Sequence, residues 1–193
     1  MRSRKVILIA AIAFGAAYYF SATHKPEVKK PQLETGDIIF RKENSFWGDV
    51  AASASKRDGR YSHSGVVLVR KDGVHVIHSY ANTNTRKSLV SLQTLDEFAN
   101  NASNIGYYRL NFPKEIRQDF AKKAFEYYSR KTPFDDKFLY TDESAVYCTE
   151  LVWHAARKAS GHDIAPIKSD FMGKKFIAND DLFLGGFMSP VQY

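Results

Sequence analysis

The sequence predicts one α+β domain, and three observations support this prediction. Two β-rich runs, 62–70 and 74–80, flank Asp72-Gly73, a dipeptide typical of a two-residue hairpin turn. Apolar residues recur at helical spacing over 113–131, and a second helix is expected to end at Gly161. Because hairpin and helical segments alternate within one chain of 193 residues, we expect helices packed on an antiparallel sheet.

The remaining elements follow from local patterns along the chain. A Thr35-Gly36 turn should lead into a strand at 37–41, and a segment rich in small residues at 46–55 predicts a short helix. Pro113 suits the first turn of the helix over 113–131, and Ser144 is a candidate N-cap for the helix that ends at Gly161. Three shorter elements are also expected, namely a helix at 95–99 and strands at 105–110 and 187–193.

The N-terminus predicts export. Arg2, Arg4 and Lys5 precede an unbroken apolar run at 6–20, the pattern of a signal peptide or a membrane anchor. Small residues permit cleavage after Ala17, and an uncleaved anchor fits equally well. We therefore predict a signal or anchor at 1–22, a linker at 23–34 and a domain at 35–193. The domain is expected in the periplasm or cell envelope, attached to the membrane if the segment is retained.

Composition and charge exclude some classes of protein and of partner. The hydrophobic and charged shares, 44% and 25%, exclude a low-complexity or wholly disordered chain. Residues 1–30 hold six Lys/Arg and one acid, so they account for +5 of the formal net charge of +7. The remaining +2 gives no indication of a nucleic-acid partner, and nothing in the sequence indicates an oligomeric state.

The single cysteine, Cys148, is the main candidate for chemistry. One cysteine excludes an internal disulfide or a CxxC zinc site. Cys148 is expected in the first turn of its helix, where free N–H groups and the helix dipole stabilise a thiolate and lower the thiol pKa. The same N–H groups can hold the oxyanion of an acyl-transfer reaction. A lone cysteine is otherwise most often a small buried hydrophobic residue, so a nearby base is needed to support catalysis.

Three histidines on the hairpin are candidate bases. A two-residue turn at Asp72-Gly73 would pair Lys71 with Val74, so that His63 and His78 share one sheet face and His75 points to the other. A three-residue loop without a bulge would instead bring His75 to the face of His63. Periodicity alone leaves open that all three are partly exposed strand residues without a catalytic role.

Three motifs resemble one enzyme family. Tyr61-Ser62-His63-Ser64-Gly65 is similar to the histidine strand of NlpC-type papain-like cysteine hydrolases, and Tyr147-Cys148-Thr149-Glu150-Leu151-Val152 is similar to the cysteine motif of their circularly permuted YiiX/YebB-like members. The stretch 35–40 resembles the opening strand of that group, and histidine precedes cysteine, as in the permuted order.

The resemblance implies a fold, a catalytic group and a reaction. The fold would be a permuted papain-like α+β domain whose antiparallel sheet packs on helices, one of which bears the cysteine. Cys148 would be the nucleophile, His63 the base and His78 the residue that orients it, while Glu150, Asp135 and Tyr147 are candidate cleft residues. Glu150 has a second interpretation, as a first-turn acid favoured by the helix dipole.

The expected reaction is cleavage of an amide or ester through an acyl-enzyme, without a metal or organic cofactor. A peptide amide of peptidoglycan is the first expectation for the substrate. A lipid ester or amide, cleaved or transferred by the same fold, is an alternative, and a non-catalytic envelope-binding domain is another.

Overall fold

A computed structural model describes residues 31–81, 88–140, 142–171 and 173–192 of the chain. The predicted signal or anchor at 1–22 and most of the predicted linker at 23–34 lie outside these residues. Within the described ranges, no helix is both long enough and apolar enough to cross a membrane.

A six-stranded sheet forms the centre of the described domain, and every neighbouring pair of its strands is antiparallel. The strand order is β4-β3-β2-β1-β5-β8, and β6 and β7 form a separate two-stranded sheet. The strands are β1 Asp37–Glu43, β2 His63–Arg70, β3 Gly73–Tyr80, β4 Leu89–Thr94, β5 Ala102–Leu110, β6 Ser169–Phe171, β7 Lys174–Phe176 and β8 Met188–Pro190.

Helices cover both faces of the sheet. They are α1 Phe46–Ala54, α2 Leu95–Ala99, α3 Lys114–Ser129, α4 Cys148–Ser160 and α5 Asn179–Phe183. The two longest, α3 and α4, pack against each other and share the main hydrophobic core with one face of the sheet. A smaller cluster on the other face packs Ile39, Val67 and Val76 against Phe98 of α2.

This architecture confirms the α+β class predicted from the sequence. The predicted helices at 46–55 and 95–99 and the strands at 37–41 and 105–110 are present, each with ends within a few residues of those expected. Strand β4 and helix α5 were not predicted, because neither segment carries a strong periodic pattern.

The start of α4 differs from the prediction. Ser144 does not cap this helix; it bonds Asp142 instead, and the N-cap is Tyr147. Cys148 is consequently the first helical residue, while Gly161 ends the helix in the left-handed conformation, as predicted.

Candidate active site

The hairpin brings His63 and His78 into direct contact. Nε2 of His63 lies 2.9 Å from Nδ1 of His78, and both rings are buried. The turn comprises Lys71 and Asp72, with Arg70 paired to Gly73, so the register differs by two residues from the predicted one. Because a shift of two residues preserves the face of every side chain, His63 and His78 still share one face.

An aromatic and cationic environment surrounds the two histidines. The ring of His63 stacks on Phe98, and the ring of His78 meets the edge of the same phenyl group. The guanidinium of Arg41 lies 4.6 Å from the centre of that phenyl ring and pairs with Glu43.

Burial and charge both disfavour protonated imidazoles here. Burial, followed by the charges of His78 and Arg41, holds the pKa of His63 well below its ordinary value. Burial also lowers the pKa of His78 to about 3, with Arg41 contributing. Both rings are therefore neutral near pH 7, which is the state a general base requires.

The N-terminus of α4 lies near the point where the pairing of β2 with β3 ends. The β2–β3 ladder ends at Val66 and Ile77, although β2 still pairs with β1 as far as His63 and β3 with β4 as far as Tyr80. Beyond that last pair the two strands make no further ladder contact with each other.

Val146 and Cys148 contact the strand ends beyond this last pair. The hydroxyl of Ser79 on β3 donates to the carbonyl oxygen of Val146 at 2.6 Å, and the amide of Ser64 on β2 faces the sulfur of Cys148. Cys148 is thus held beside Ser64, the residue that follows His63.

The electrostatics of Cys148 correct one expectation from the sequence. Burial is the largest influence and raises the pKa of the thiol. The nearby amide and hydroxyl of Ser64 and the amide of Thr149 act in the opposite direction, because N–H and O–H dipoles beside the sulfur favour the thiolate. Burial outweighs the helix N-terminus, so the resting cysteine is a neutral thiol and its pKa is not lowered as predicted.

A cavity of about 270 Å³ adjoins His78. Its lining includes the charged side chains of Arg41 and Glu43 and the amide side chains of Gln93 and Asn100. Among the described lining residues, Tyr80 alone has a large apolar side chain. A larger cavity of about 480 Å³ borders the later turns of α4, and neither Cys148 nor the histidine pair lines it.

The three candidate cleft residues are buried and hydrogen-bonded within the fold. Glu150 accepts from the amide of Tyr147 at 3.1 Å and contacts Nε2 of His154 at 3.2 Å, and burial raises its pKa. The hydroxyl of Tyr147 accepts from the amide of Ile177. Glu150 therefore occupies the capping position at the start of α4, which corresponds to its interpretation as a first-turn acid.

Asp135 organises its own loop, because its carboxylate accepts the amides of Lys137 and Leu139 at 2.9 and 2.7 Å. Among the other histidines, His75 lies on the opposite sheet face from His63, as the register argument predicted. His154 pairs with Glu150 and lies 3.7 Å from Glu143.

Sequence reasoning missed three residues of this site. Ser64 stands within the histidine motif, and its position beside the sulfur depends on where the pairing of β2 with β3 ends, which has no local signal. Arg41 belongs to the predicted first strand, and its pairing with His63 was not predicted. Gln93 lies on β4, a strand that the sequence analysis did not identify.

This chain is similar to known proteins in sequence and in fold. A family model described as permuted papain-like amidase enzyme, YaeF/YiiX, C92 family, matches residues 32–184. A crystal structure described as metalloprotein yiiX from Escherichia coli O157:H7 is similar in fold, with a TM-score of 0.67 and 21% identity over 83% of this chain and 97% of that chain. No curated protein gives a significant match. The fold is therefore the circularly permuted papain-like fold that the motif order implied.

Proposed function

Because the chain belongs to the permuted papain-like amidase family, C92, we propose that it cleaves amide bonds with Cys148 as nucleophile, His63 as base and His78 as the orienting residue. The hydrogen bond between His63 and His78, 2.9 Å long, carries this proposal. It occupies Nε2 of His63 and leaves Nδ1 as the nitrogen that can take a proton from the thiol.

The proposed reaction starts from a neutral thiol and a neutral imidazole. As the sulfur of Cys148 attacks the carbonyl carbon, the thiol proton passes to Nδ1 of His63, and free N–H groups at the start of α4 stabilise the oxyanion. Collapse of the tetrahedral intermediate breaks the C–N bond, and the imidazolium returns its proton to the leaving amine. Water, deprotonated by His63, then cleaves the thioester and restores the thiol.

The cavity beside His78 supports a polar substrate. Its described lining is mainly charged and amide side chains, including Glu43, Glu97 and Asn101, which suit the backbone and ionic groups of a peptide. An acyl chain would need an apolar lining instead. We therefore propose a peptide amide, and within the predicted envelope location a peptide of peptidoglycan, as the substrate.

The location is also part of the proposal. The basic cluster followed by the apolar run at 6–20 supports export to the cell envelope, with the segment either removed or retained as an anchor. The test is to express the full chain with a C-terminal tag and determine its compartment and N-terminal residue. A tagged protein that stays in the cytoplasm would contradict this part of the proposal.

No step is assigned to a metal. The similar crystal structure is described as a metalloprotein. In this chain, the described residues include no group of three or more His, Cys, Asp or Glu side chains arranged to hold a metal ion. The residues described here therefore do not fit such a centre.

The decisive experiment incubates the full chain separately with peptidoglycan fragments and with phospholipid vesicles, and follows products by mass spectrometry. We expect cleavage of a peptide amide and a trappable acyl adduct on Cys148. Cys148→Ala and His63→Ala should abolish turnover, whereas His162→Ala, which alters an exposed histidine, should retain it. Products from phospholipids alone would favour the lipid alternative. Turnover by Cys148→Ala would refute the mechanism.

A further inference from the structure

We propose that Gln93 is a positioning residue that accepts a hydrogen bond from Nε2 of His78 and thereby sets the tautomers of both histidines. The inference rests on the proposed function, in which His63 receives the thiol proton. It adds a residue from β4 to a relay that would run from Cys148 through His63 and His78 to Gln93.

The first step is the placement of protons between the two histidines. Their contact joins Nε2 of His63 to Nδ1 of His78, so one of these nitrogens must donate. If His63 is to take a proton at Nδ1, it already carries one on Nε2, and Nδ1 of His78 must accept. His78 then carries its own proton on Nε2, and that N–H requires an acceptor.

The second step is the position of Gln93. On β4, Ser91 is the direct partner of His78, and Gln93 is the partner of Val76 two residues away. Paired residues and their second neighbours share a face, so Gln93 is a diagonal neighbour of His78 within reach of a long side chain. Both side chains line the cavity of about 270 Å³ described above.

The third step is that Nε2 of His78 needs this partner. Nε2 is buried, and in the resting structure no described group meets it with hydrogen-bonding alignment. An unpaired buried N–H is unfavourable, because it has lost its hydrogen bonds to water without gaining a partner. The side chain of Gln93 already acts on this ring, because it favours the protonated form and so partly opposes the lowering of the His78 pKa by burial. A rotation of the Gln93 side chain would bring its carbonyl oxygen into line with Nε2, and this rotation does not require substrate.

The other charged groups facing His78 do not offer an equivalent acceptor. Arg41 only donates, and Glu43 is paired with Arg41. The carboxylate of Glu97 accepts the amide and hydroxyl of Thr94 in a capping box. Tyr80, which also lines the cavity, lies with its ring centre 6.0 Å from that of His78.

The test uses nitrogen-15 NMR of the histidine rings in the full chain, which reads each tautomer without any substrate. In the unaltered protein we expect both His63 and His78 to carry their proton on Nε2. Gln93→Leu removes the acceptor and should populate the other tautomer of His78, whereas Gln93→Glu should restore Nε2–H and raise the pKa of the pair. Ser91→Ala, the matched control on the same strand face, should change neither tautomer.

Turnover and alkylation provide the second readout. Gln93→Leu should slow both alkylation of Cys148 and cleavage of the peptide amide by about tenfold, the equivalent of one lost hydrogen bond. Gln93→Glu should recover most of that loss.

A proton on Nδ1 of His78 in the unaltered protein would overturn the inference even if Gln93→Leu failed to fold. So would tautomers and rates unchanged in a folded Gln93→Leu, which would show that Gln93 does not set the tautomer of His78. The failure of the proposed function is separate, because it would appear as turnover that survives Cys148→Ala.

Discussion

At the scale of single residues, burial has a larger effect than neighbouring groups on the pKa values of the proposed catalytic residues. Burial raises the pKa of the Cys148 thiol and lowers the pKa values of His63 and His78. These shifts favour the uncharged form of each group. In the proposed mechanism the proton therefore passes from the thiol to His63 as the sulfur attacks the substrate carbonyl, and no thiolate–imidazolium pair forms beforehand.

This state predicts the pH dependence of Cys148 alkylation. In the folded protein the rate should rise only above about pH 8.5, which is the pKa of an ordinary thiol. The reason is that burial raises the pKa of Cys148 and keeps its thiol protonated. The measurement is the rate of iodoacetamide labelling between pH 5 and 10, followed by mass spectrometry. The same chain in denaturant should react with an ordinary pKa, and an inflection well below pH 8.5 in the folded state would contradict the prediction.

At the scale of elements, Glu150 holds the residue before Cys148 at the start of the helix. Its carboxylate accepts the amide of Tyr147, one residue before Cys148, and also contacts His154 on the next turn. Tyr147 offers no side chain of the usual N-cap type, so a buried acid three residues later supplies the missing acceptor. The position of Cys148 thus depends on a residue that lies in the interior.

Removing this carboxylate should destabilise the fold. Glu150→Ala leaves the buried amide of Tyr147 without its acceptor, and the free energy of unfolding should fall by about 1–3 kcal/mol. Urea unfolding monitored by circular dichroism measures the change. Glu115→Ala, in the first turn of α3 and exposed, is the control and should alter stability by less than about 0.5 kcal/mol. Equal effects of the two substitutions would show that capping is unimportant.

The turn before β1 is a second constraint at this scale. Gly36 has a φ of +91°, and a Cβ there would overlap the carbonyl oxygen of Arg117 in α3. Gly36→Ala should therefore lower the free energy of unfolding by about 2–4 kcal/mol, from backbone strain and overpacking together. Gly73→Ala is the control for backbone strain without overpacking. Gly73 has a φ of +129°, but nothing lies within 4 Å of an added Cβ. That control should cost only about 1 kcal/mol, and similar losses for both would contradict the overlap with Arg117.

At the scale of the whole domain, residues from both faces of the sheet contribute to the proposed site. The long helices cover one face with the main core, while His63 and His78 lie on the face of Phe98. Helix α4 belongs to the first layer, and its first residue, Cys148, lies beside Ser64, which follows His63 on β2. Because both histidines are buried as neutral rings, the proposed catalytic group and the stability of the fold are linked through pH.

The linkage has a definite sign. The pKa values of His63 and His78 are lower in the folded than in the unfolded protein, so their contribution to stability is present above about pH 6.5 and is lost as the pH falls. Each histidine should reduce the free energy of unfolding by about 1.4 kcal/mol per pH unit below that value. Urea titrations at pH 7, 6 and 5 test this. In His78→Asn, the free energy of unfolding should fall less steeply with pH, because the contribution of His78 is absent. A flat profile between pH 7 and 5 would show that the rings are not buried as neutral groups.

Much of this organisation could be predicted from the sequence, because it depends on local patterns of residues. Alternation along the hairpin placed His63 and His78 on one face, and that conclusion survived a two-residue error in the turn because side chains repeat every second residue. Helical spacing and Gly161 located the helices that cover the sheet. The order of the histidine and cysteine motifs identified the permuted fold.

The tertiary structure decided what depends on contacts between distant segments. It set the balance between burial and the helix N-terminus at Cys148, which reverses the expected direction of the thiol pKa. It also placed Ser64 beside Cys148 and added Gln93 from a strand with no clear pattern. The physical reason is that desolvation and strand separation arise only when the whole domain packs, whereas periodicity and turn chemistry act within a few residues of the chain.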